Sequence, residues 1–223
     1  MKEVVLDTET TGLSVKDGHR IVEIGCVELD NLIPTKKQFH CYLNPERKVS
    51  EKALEVHGYT DEFLAKQKKF SDVVVDFLKF IENKKLVIHN AEFDLGHLNN
   101  ELALLNKAQI KNENVVDTLI IARDKFPGSS ISLDALCKRF RIDNTQREKH
   151  TALIDCDLLA KVYINLLDQK EPTLDFKSQD NEKIIISKNE INQYCKKVIK
   201  PTDEEILLHK SYLKTSLKKN FFN

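Results

Sequence analysis

Apolar positions in the first two-thirds of the chain switch repeatedly between short unbroken runs and helical spacing. Val4-Val5-Leu6 is a short apolar run of the kind found in strands buried on both faces. Residues 21–29 (IVEIGCVEL) and 38–43 (QFHCYL) read as further strands, with Pro34 in the connection between them. Over 71–82, Val74, Phe77, Leu78 and Ile81 recur at helical spacing and predict a helix. Leu86-Val87-Ile88 is another buried-strand pattern, followed by a helix striped with Leu95, Leu98, Leu102 and Leu105. Val115-Val116 reads as a short strand and Pro127-Gly128 as a turn. Ser132 is placed to cap a helix through Leu133, Leu136 and Cys137. Residues 151–167 end the pattern as a helix with Ile154, Leu158, Val162 and Leu166 inward. This alternation predicts an α/β domain over residues 1–167.

Beyond Leu167 the texture changes. Residues 168–198 contain Pro172 and little periodicity apart from Ile184-Ile185-Ile186, so a flexible linker is expected there. Residues 199–223 form a tail in which helical spacing resumes over 202–219. Thr202 is its cap, Asp203, Glu204 and Glu205 fill the first turn, and lysines gather toward the end, complementing the helix dipole. So short a helix builds no core of its own and is either solvated or docks on a partner.

Composition narrows the class. The 35 Lys+Arg balance 35 Asp+Glu, and 41% hydrophobic with 31% charged residues is a globular composition, not a disordered one. No stretch approaches the roughly 20 apolar residues of a membrane span. Strand-like residues so soon after Met1 leave no room for a signal peptide, so a cytoplasmic protein without a membrane partner is expected. The five cysteines include no CxxC pair, which favours reduced thiols over a disulfide framework or a zinc ribbon. Zero net charge argues against gripping nucleic acid by bulk electrostatics, but not against acting on it.

The candidate chemistry lies in three places. Asp7 and Glu9 alternate around Thr8 at the end of the first apolar run, so both carboxylates project from one face. Two such like charges repel and are costly to desolvate unless a cation lies between them. Hard oxygen donors without Cys or paired His suit Mg²⁺ or Mn²⁺. His89-Asn90-Ala91-Glu92-Phe93-Asp94 passes from a strand into the Leu-striped helix and puts Asp94 in its first turn. In the stretch from His150 to Asp155, both residues on one helix would point about 140° apart. They converge only if His150 lies in the loop before the helix and Asp155 within it. Singly, each fragment has a plain alternative: solvated acids, a dipole-favouring acid, a solvated histidine.

Taken together, VLDTETTGL at 5–13, IVEIG at 21–25, VHG at 56–58, HNAEFD at 89–94 and HTALID at 150–155 resemble the DEDDh family of 3′→5′ exonucleases. The resemblance implies a ribonuclease H-like fold, a mixed sheet flanked by helices. It implies two divalent metal ions, Mg²⁺ or Mn²⁺, held by Asp7, Glu9, Asp94 and Asp155, with His150 as general base. It also places Asp7, Thr8, Glu9, Val56, His57, Asn90, Phe93 and Asp155 around the 3′-terminal nucleotide of DNA. Five residues before His57, where proofreading relatives can carry an acid, this chain has Lys52 with Glu51 beside it.

FPGSSISLDALCKRFRIDN at 126–144 and IKPTDEEILLHKSYL at 199–213 resemble proofreading members of the family, the second stretch implying attachment to a polymerase (alpha) subunit. Glu171-Pro172-Thr173-Leu174-Asp175-Phe176 resembles a sliding-clamp-binding peptide, with Glu171 in place of the usual leading Gln. The function so implied is hydrolysis of mispaired 3′-terminal nucleotides from DNA, releasing 5′-mononucleotides during replication. An RNA-trimming member of the family and a non-catalytic, polymerase-stabilising adaptor are the alternatives. Residues 168–223 hold 11 Lys against 9 acids, which leaves the domain slightly acidic and a weak binder of phosphate. A tether to a partner would offset that weak grip.

Overall fold

The computed structural model describes residues 1–145, 147, 149–168 and 200–215. The expected clamp-binding peptide and nearly all of the expected linker lie outside the described residues. Residues 1–168 and 200–215 belong to two separate units.

The first apolar run extends well past its apolar core. Strand β1 spans Lys2–Thr10, so Asp7, Thr8 and Glu9 lie among its last residues, where strand alternation puts both carboxylates on one face as expected. The ladder to β2 (Ile21–Asp30) carries it on, pairing Asp7 with Gly25 and Glu9 with Glu23, antiparallel. A two-residue turn with Asn31 and Leu32 both at positive φ joins β2 to β3 (Ile33–Tyr42), a geometry that matches the twist of a hairpin. Pro34 lies inside β3, opposite Leu29, and not in the connection. Because β3 is an edge strand, a residue without an N–H is tolerated there.

Next come α1 (Glu51–His57), α2 (Asp61–Leu64) and α3 (Phe70–Ile81), followed by β4 (Lys85–Ile88) and α4 (Ala91–Leu104). β5 (Val115–Asp117) leads into α5 (Thr118–Lys125), which the apolar pattern did not announce. Leu119, Ile120 and Ile121 are contiguous, so a two-turn helix leaves no periodic trace. Its cap is the Asp117 carboxylate, which accepts from Leu119 N–H at 2.8 Å. α6 (Leu133–Phe140) and α7 (Ala152–Leu166) follow as expected, α6 capped by Ser132.

The sheet order is β3-β2-β1-β4-β5, with β1, β4 and β5 mutually parallel and β2 and β3 antiparallel to their neighbours. This is the mixed sheet flanked by helices that was expected. Alternation along β1 sorts the core. Val4 and Leu6 pack with Phe77 of α3 and Leu98 of α4 on one face. Val5 packs with Cys156, Leu159 and Tyr163 of α7 on the other. A third cluster joins Ala122 of α5, Leu136 of α6 and Leu158 of α7. Among the described residues the cysteines are free, and no helix is long and apolar enough to cross a membrane.

α7 lies unusually close to β2. A Cβ on Gly25 would stand 2.5 Å from the Ala152 carbonyl carbon, so only glycine admits the helix start at this distance. Cys156 Sγ donates to the Gly25 carbonyl at 3.2 Å, and Tyr163 Oη donates to Glu3 Oε1 at 3.0 Å, fixing the far end of the helix on β1.

In the second unit, α8 (Asp203–Thr215) starts with a reciprocal cap. Thr202 N–H donates to Glu205 Oε2 at 2.7 Å, and Glu205 N–H donates to Thr202 Oγ1 at 3.3 Å. Thr202 is thus the cap that its sequence suggested; residues 216–219 of the expected helix lie outside the described residues. Leu207, Leu208 and Tyr212 are exposed on α8.

Gly25→Ala is expected to lower the unfolding free energy by about 1–3 kcal/mol, because backbone must move to make room. Denaturant melts measure this, and an unchanged midpoint would show that the close approach is not constraining.

Candidate active site

Asp7 and Glu9 point toward the face of β1 that α7 covers, and Asp155, in the first turn of α7, meets them there. Asp94 comes from the first turn of α4. Thr8 turns the opposite way and holds it: its N–H and hydroxyl both donate to Asp94 Oδ1, at 3.0 and 2.7 Å. His150 lies in the loop just before α7 while Asp155 lies within it, which is the condition for their convergence. His150 Nδ1 stands 3.4 Å from Asp155 Oδ2. Glu9, His150 and Asp155 each present a ligand atom, all within 4.8 Å of one another. Asp7, Glu9, Asp94, His150 and Asp155 line one cleft of about 310 Å³, with Asn90 and Phe93 on its wall.

A second cleft of about 510 Å³ adjoins it, sharing Thr8, Glu9 and Phe93. Val56, His57 and Lys52 line this one. Lys52, and not Glu51, therefore faces the cleft where an acid was sought. A larger hollow of about 990 Å³ lies at the opposite end of the strands, around Lys2 and Lys85. Glu82 is the one acid in its lining, so it holds no comparable donor set.

Electrostatics set this site apart. Burial, together with the neighbouring carboxylates of Asp94, Glu9 and Asp155, pushes Asp7 well above the usual range. Burial and Asp155 push Glu9 up to about 8. Burial pushes Asp94 up to about 7 in spite of the two bonds from Thr8. Asp155 behaves differently: burial would raise it, but the adjacent His150 and Arg147 outweigh that and hold it below the usual range. Such a cluster of carboxylates in one recess is costly to keep ionised unless positive charge offsets it.

Three residues that the sequence did not mark shape the site. Arg147 forks onto Asp155, Nε to Oδ1 at 2.6 Å and a terminal nitrogen to Oδ2 at 2.7 Å, and also reaches Asp134 of α6 at 2.7 Å. The guanidinium donates to His150 Nδ1 at 2.8 Å as well, so this ring nitrogen is the acceptor. Asp117 accepts from the N–H groups of Asn90 and Ala91, at 3.1 and 3.0 Å, and so fixes the start of α4, where Asn90 adopts a left-handed backbone that asparagine tolerates. Glu23, buried on β2, accepts from Ala152 N–H at 3.0 Å at the start of α7. Arg147 stands three residues before His150, whereas Asp117 and Glu23 reach the site only through the fold.

Comparison with known proteins gives the family of the chain. Residues 4–163 match the exonuclease (RNase_T) family, and the chain belongs to that family. It is 46% identical to the DNA polymerase III subunit epsilon of Rickettsia felis over 224 residues, covering 98% of each chain. It is 39% identical to the DNA polymerase III subunit epsilon of Escherichia coli, over 98% of this chain and 94% of that protein. Among solved structures, exonuclease X in complex with 5′-overhanging duplex DNA superposes with a TM-score of 0.60 at 25% identity, covering 75% of this chain and 92% of the other. The nuclease domain of 3′hExo, a DEDDh family member bound to rAMP, shares the fold with a TM-score of 0.62 at 19% identity over 76% of this chain and 92% of the other.

The raised carboxyls have a measurable consequence. A carboxyl whose folded pKa exceeds its unfolded one binds its proton more tightly in the fold. Its stabilising effect is complete below the unfolded pKa and is lost as pH rises through the folded one. EDTA-treated protein should therefore lose thermal stability as pH rises from near 4.5 toward the folded value of about 8 that Glu9 reaches. Mg²⁺ added at the alkaline end should restore it. Thermal melts in EDTA that rise or stay level over this window would contradict the assignment.

Proposed function

We propose that this chain is the proofreading exonuclease subunit of a bacterial DNA polymerase III, hydrolysing mispaired 3′-terminal nucleotides of DNA and releasing 5′-mononucleotides. The observation that carries this reading is the convergence of Asp7 and Glu9 of β1, Asp94 of α4, Asp155 of α7 and His150 of the preceding loop in one cleft. Similarity to epsilon subunits along nearly the whole chain supports the polymerase context.

The donor set fits two divalent ions, Mg²⁺ or Mn²⁺. It offers hard carboxylate oxygens, and the upward pressure on Asp7, Glu9 and Asp94 is what a bound cation relieves. Asp7, Glu9, Asp94 and Asp155 would hold them. When bound, the ions stabilise charge on the attacking and leaving oxygens of an in-line displacement at the terminal phosphodiester. His150, on the loop beside Asp155, takes the proton of the attacking water. Arg147 holds both Asp155 oxygens and His150 Nδ1, so these contacts would give way as Asp155 takes a cation and His150 the proton.

The adjoining cleft takes the 3′ nucleotide. Thr8, Val56 and Phe93 line it, and His57 is buried along it with an Nε2 that has no hydrogen-bond partner among the described residues. Lys52 supplies a cation there for a phosphate. Asn90, exposed at the mouth beside Phe93, completes the proposed contacts with substrate.

Residues 1–167 then form the exonuclease domain, 168–198 a linker and 199–223 the segment that binds the polymerase (alpha) subunit in the cytoplasm. The exposed Leu207, Leu208 and Tyr212 suit α8 to this docking. Residues 171–176 would bind the sliding clamp.

His150→Ala should lower kcat on single-stranded DNA with Mg²⁺ by about 10²–10⁴-fold. Asp7→Ala should abolish the activity, and a fully active Asp7→Ala protein would overturn the enzyme reading. Faster hydrolysis of RNA than of DNA of equal length would favour an RNA-trimming role instead. Removing residues 168–223 should leave nuclease activity on short DNA in place while abolishing co-purification with the polymerase subunit. Binding that survives the truncation would move the interface onto the domain.

A further inference from the structure

Glu23 is fully buried on β2, lies outside the carboxylate cluster of the cleft, and spends both oxygens on groups that frame it. Oε2 accepts from Ala152 N–H at 3.0 Å and from Tyr59 Oη at 2.8 Å, and Oε1 lies 2.6 Å from His40 Nε2. The bond to Ala152 has a specific use. The start of α7 has no side-chain cap of its own: Thr151, at the cap position, makes no such bond, and its hydroxyl is buried without a partner. A carboxylate on the neighbouring strand satisfies an orphan N–H in its place and places negative charge at the positive end of the helix.

The bond to Tyr59 closes a circuit. Tyr59 N–H donates to His57 Nδ1 at 3.0 Å, and the two rings stack with centroids 4.8 Å apart. One residue earlier, the Val56 carbonyl accepts from His150 N–H at 3.2 Å. His150 is therefore held on both sides, by Val56 before it and by Glu23 through Ala152 after it. Asp155 lies on the same first turn, within one turn of the capped N–H.

We propose that Glu23 is a positioning residue of the active site, setting the His150 loop and the Asp155 turn relative to His57 on the nucleotide side. This deepens the exonuclease reading and rests on it. Glu23 touches neither substrate nor reacting atoms; it acts by accepting a hydrogen bond at a particular place. The acceptor and its reach therefore matter most, and its charge at the helix start contributes a smaller part.

Three substitutions separate these properties. Glu23→Gln keeps the length and an amide oxygen for Ala152 N–H. Glu23→Asp keeps the charge but shortens the reach by roughly 1.5 Å, the length of one carbon–carbon bond. Glu23→Ala removes both. Steady-state hydrolysis of single-stranded DNA with Mg²⁺ should give Asp and Ala variants with kcat lowered about tenfold or more and KM within about twofold. The Gln variant should recover most of that loss. Hydrogen exchange over residues 150–155 should speed up in the Asp and Ala proteins and stay slow in the Gln protein. If the Ala variant does not fold, the Gln and Asp variants decide the matter between them. An Asp variant as active as wild type, or a Gln variant no better than Asp, overturns the proposal. Wild-type protein run alongside separates the two failures: if it releases no nucleotides, the functional reading falls first.

Discussion

Four carboxylates are brought into one recess where β1, α4 and α7 meet, and like charges packed so closely out of water repel one another. Burial pushes three of them up, with repulsion from neighbouring carboxylates adding to it at Asp7 and Glu9, and the fourth escapes because His150 and Arg147 flank it. A recess of this kind forms only if the elements that carry the acids are fixed by something stronger than the repulsion. Much of the remaining structure can be understood as that fixing. Apolar contact on both faces of β1 anchors the strand, Asp117 anchors the start of α4, and Gly25 and Glu23 anchor the start of α7.

The two faces of β1 share this work. Odd positions carry Val5 into the α7 side and then Asp7 and Glu9 into the cleft above it; even positions carry Val4 and Leu6 against α3 and α4 and then Thr8 onto Asp94. One nine-residue strand thus supplies core on both faces, two acids and the clamp on a third. The period of two makes this economical, but it also makes the register strict, since a slip by one residue would bury the acids against α4.

Charge explains the proposed division between domain and tail. The four acids of the cleft outnumber the domain's whole acidic excess, and the chain as a whole is neutral. A phosphate backbone is therefore attracted only weakly until cations fill the site. In that setting the proposed tether through α8 would gain importance, because a tethered nuclease meets its 3′ end at high effective concentration without a strong grip of its own.

Sequence by itself determined the alternation of buried runs and helical stripes, the helices α3 and α7 to within a residue, the existence of α4 and α6, the cap at Thr202, and the placing of Asp7 and Glu9 on one face. All of these follow from local periodicity or local hydrogen bonding, which spacing reveals. It left the start of β3, the place of Pro34 and the helix α5 open or misplaced. Strand ends depend on a partner's ladder, proline tolerance on which strand lies at the edge, and a two-turn helix on its neighbours. The roles of Arg147, Asp117 and Glu23 could not be read at all. Glu23 meets Ala152 across 129 positions of chain, and no period relates them. Tertiary structure alone decided those contacts, because a hydrogen bond forms where two groups meet in space, whatever their separation along the chain.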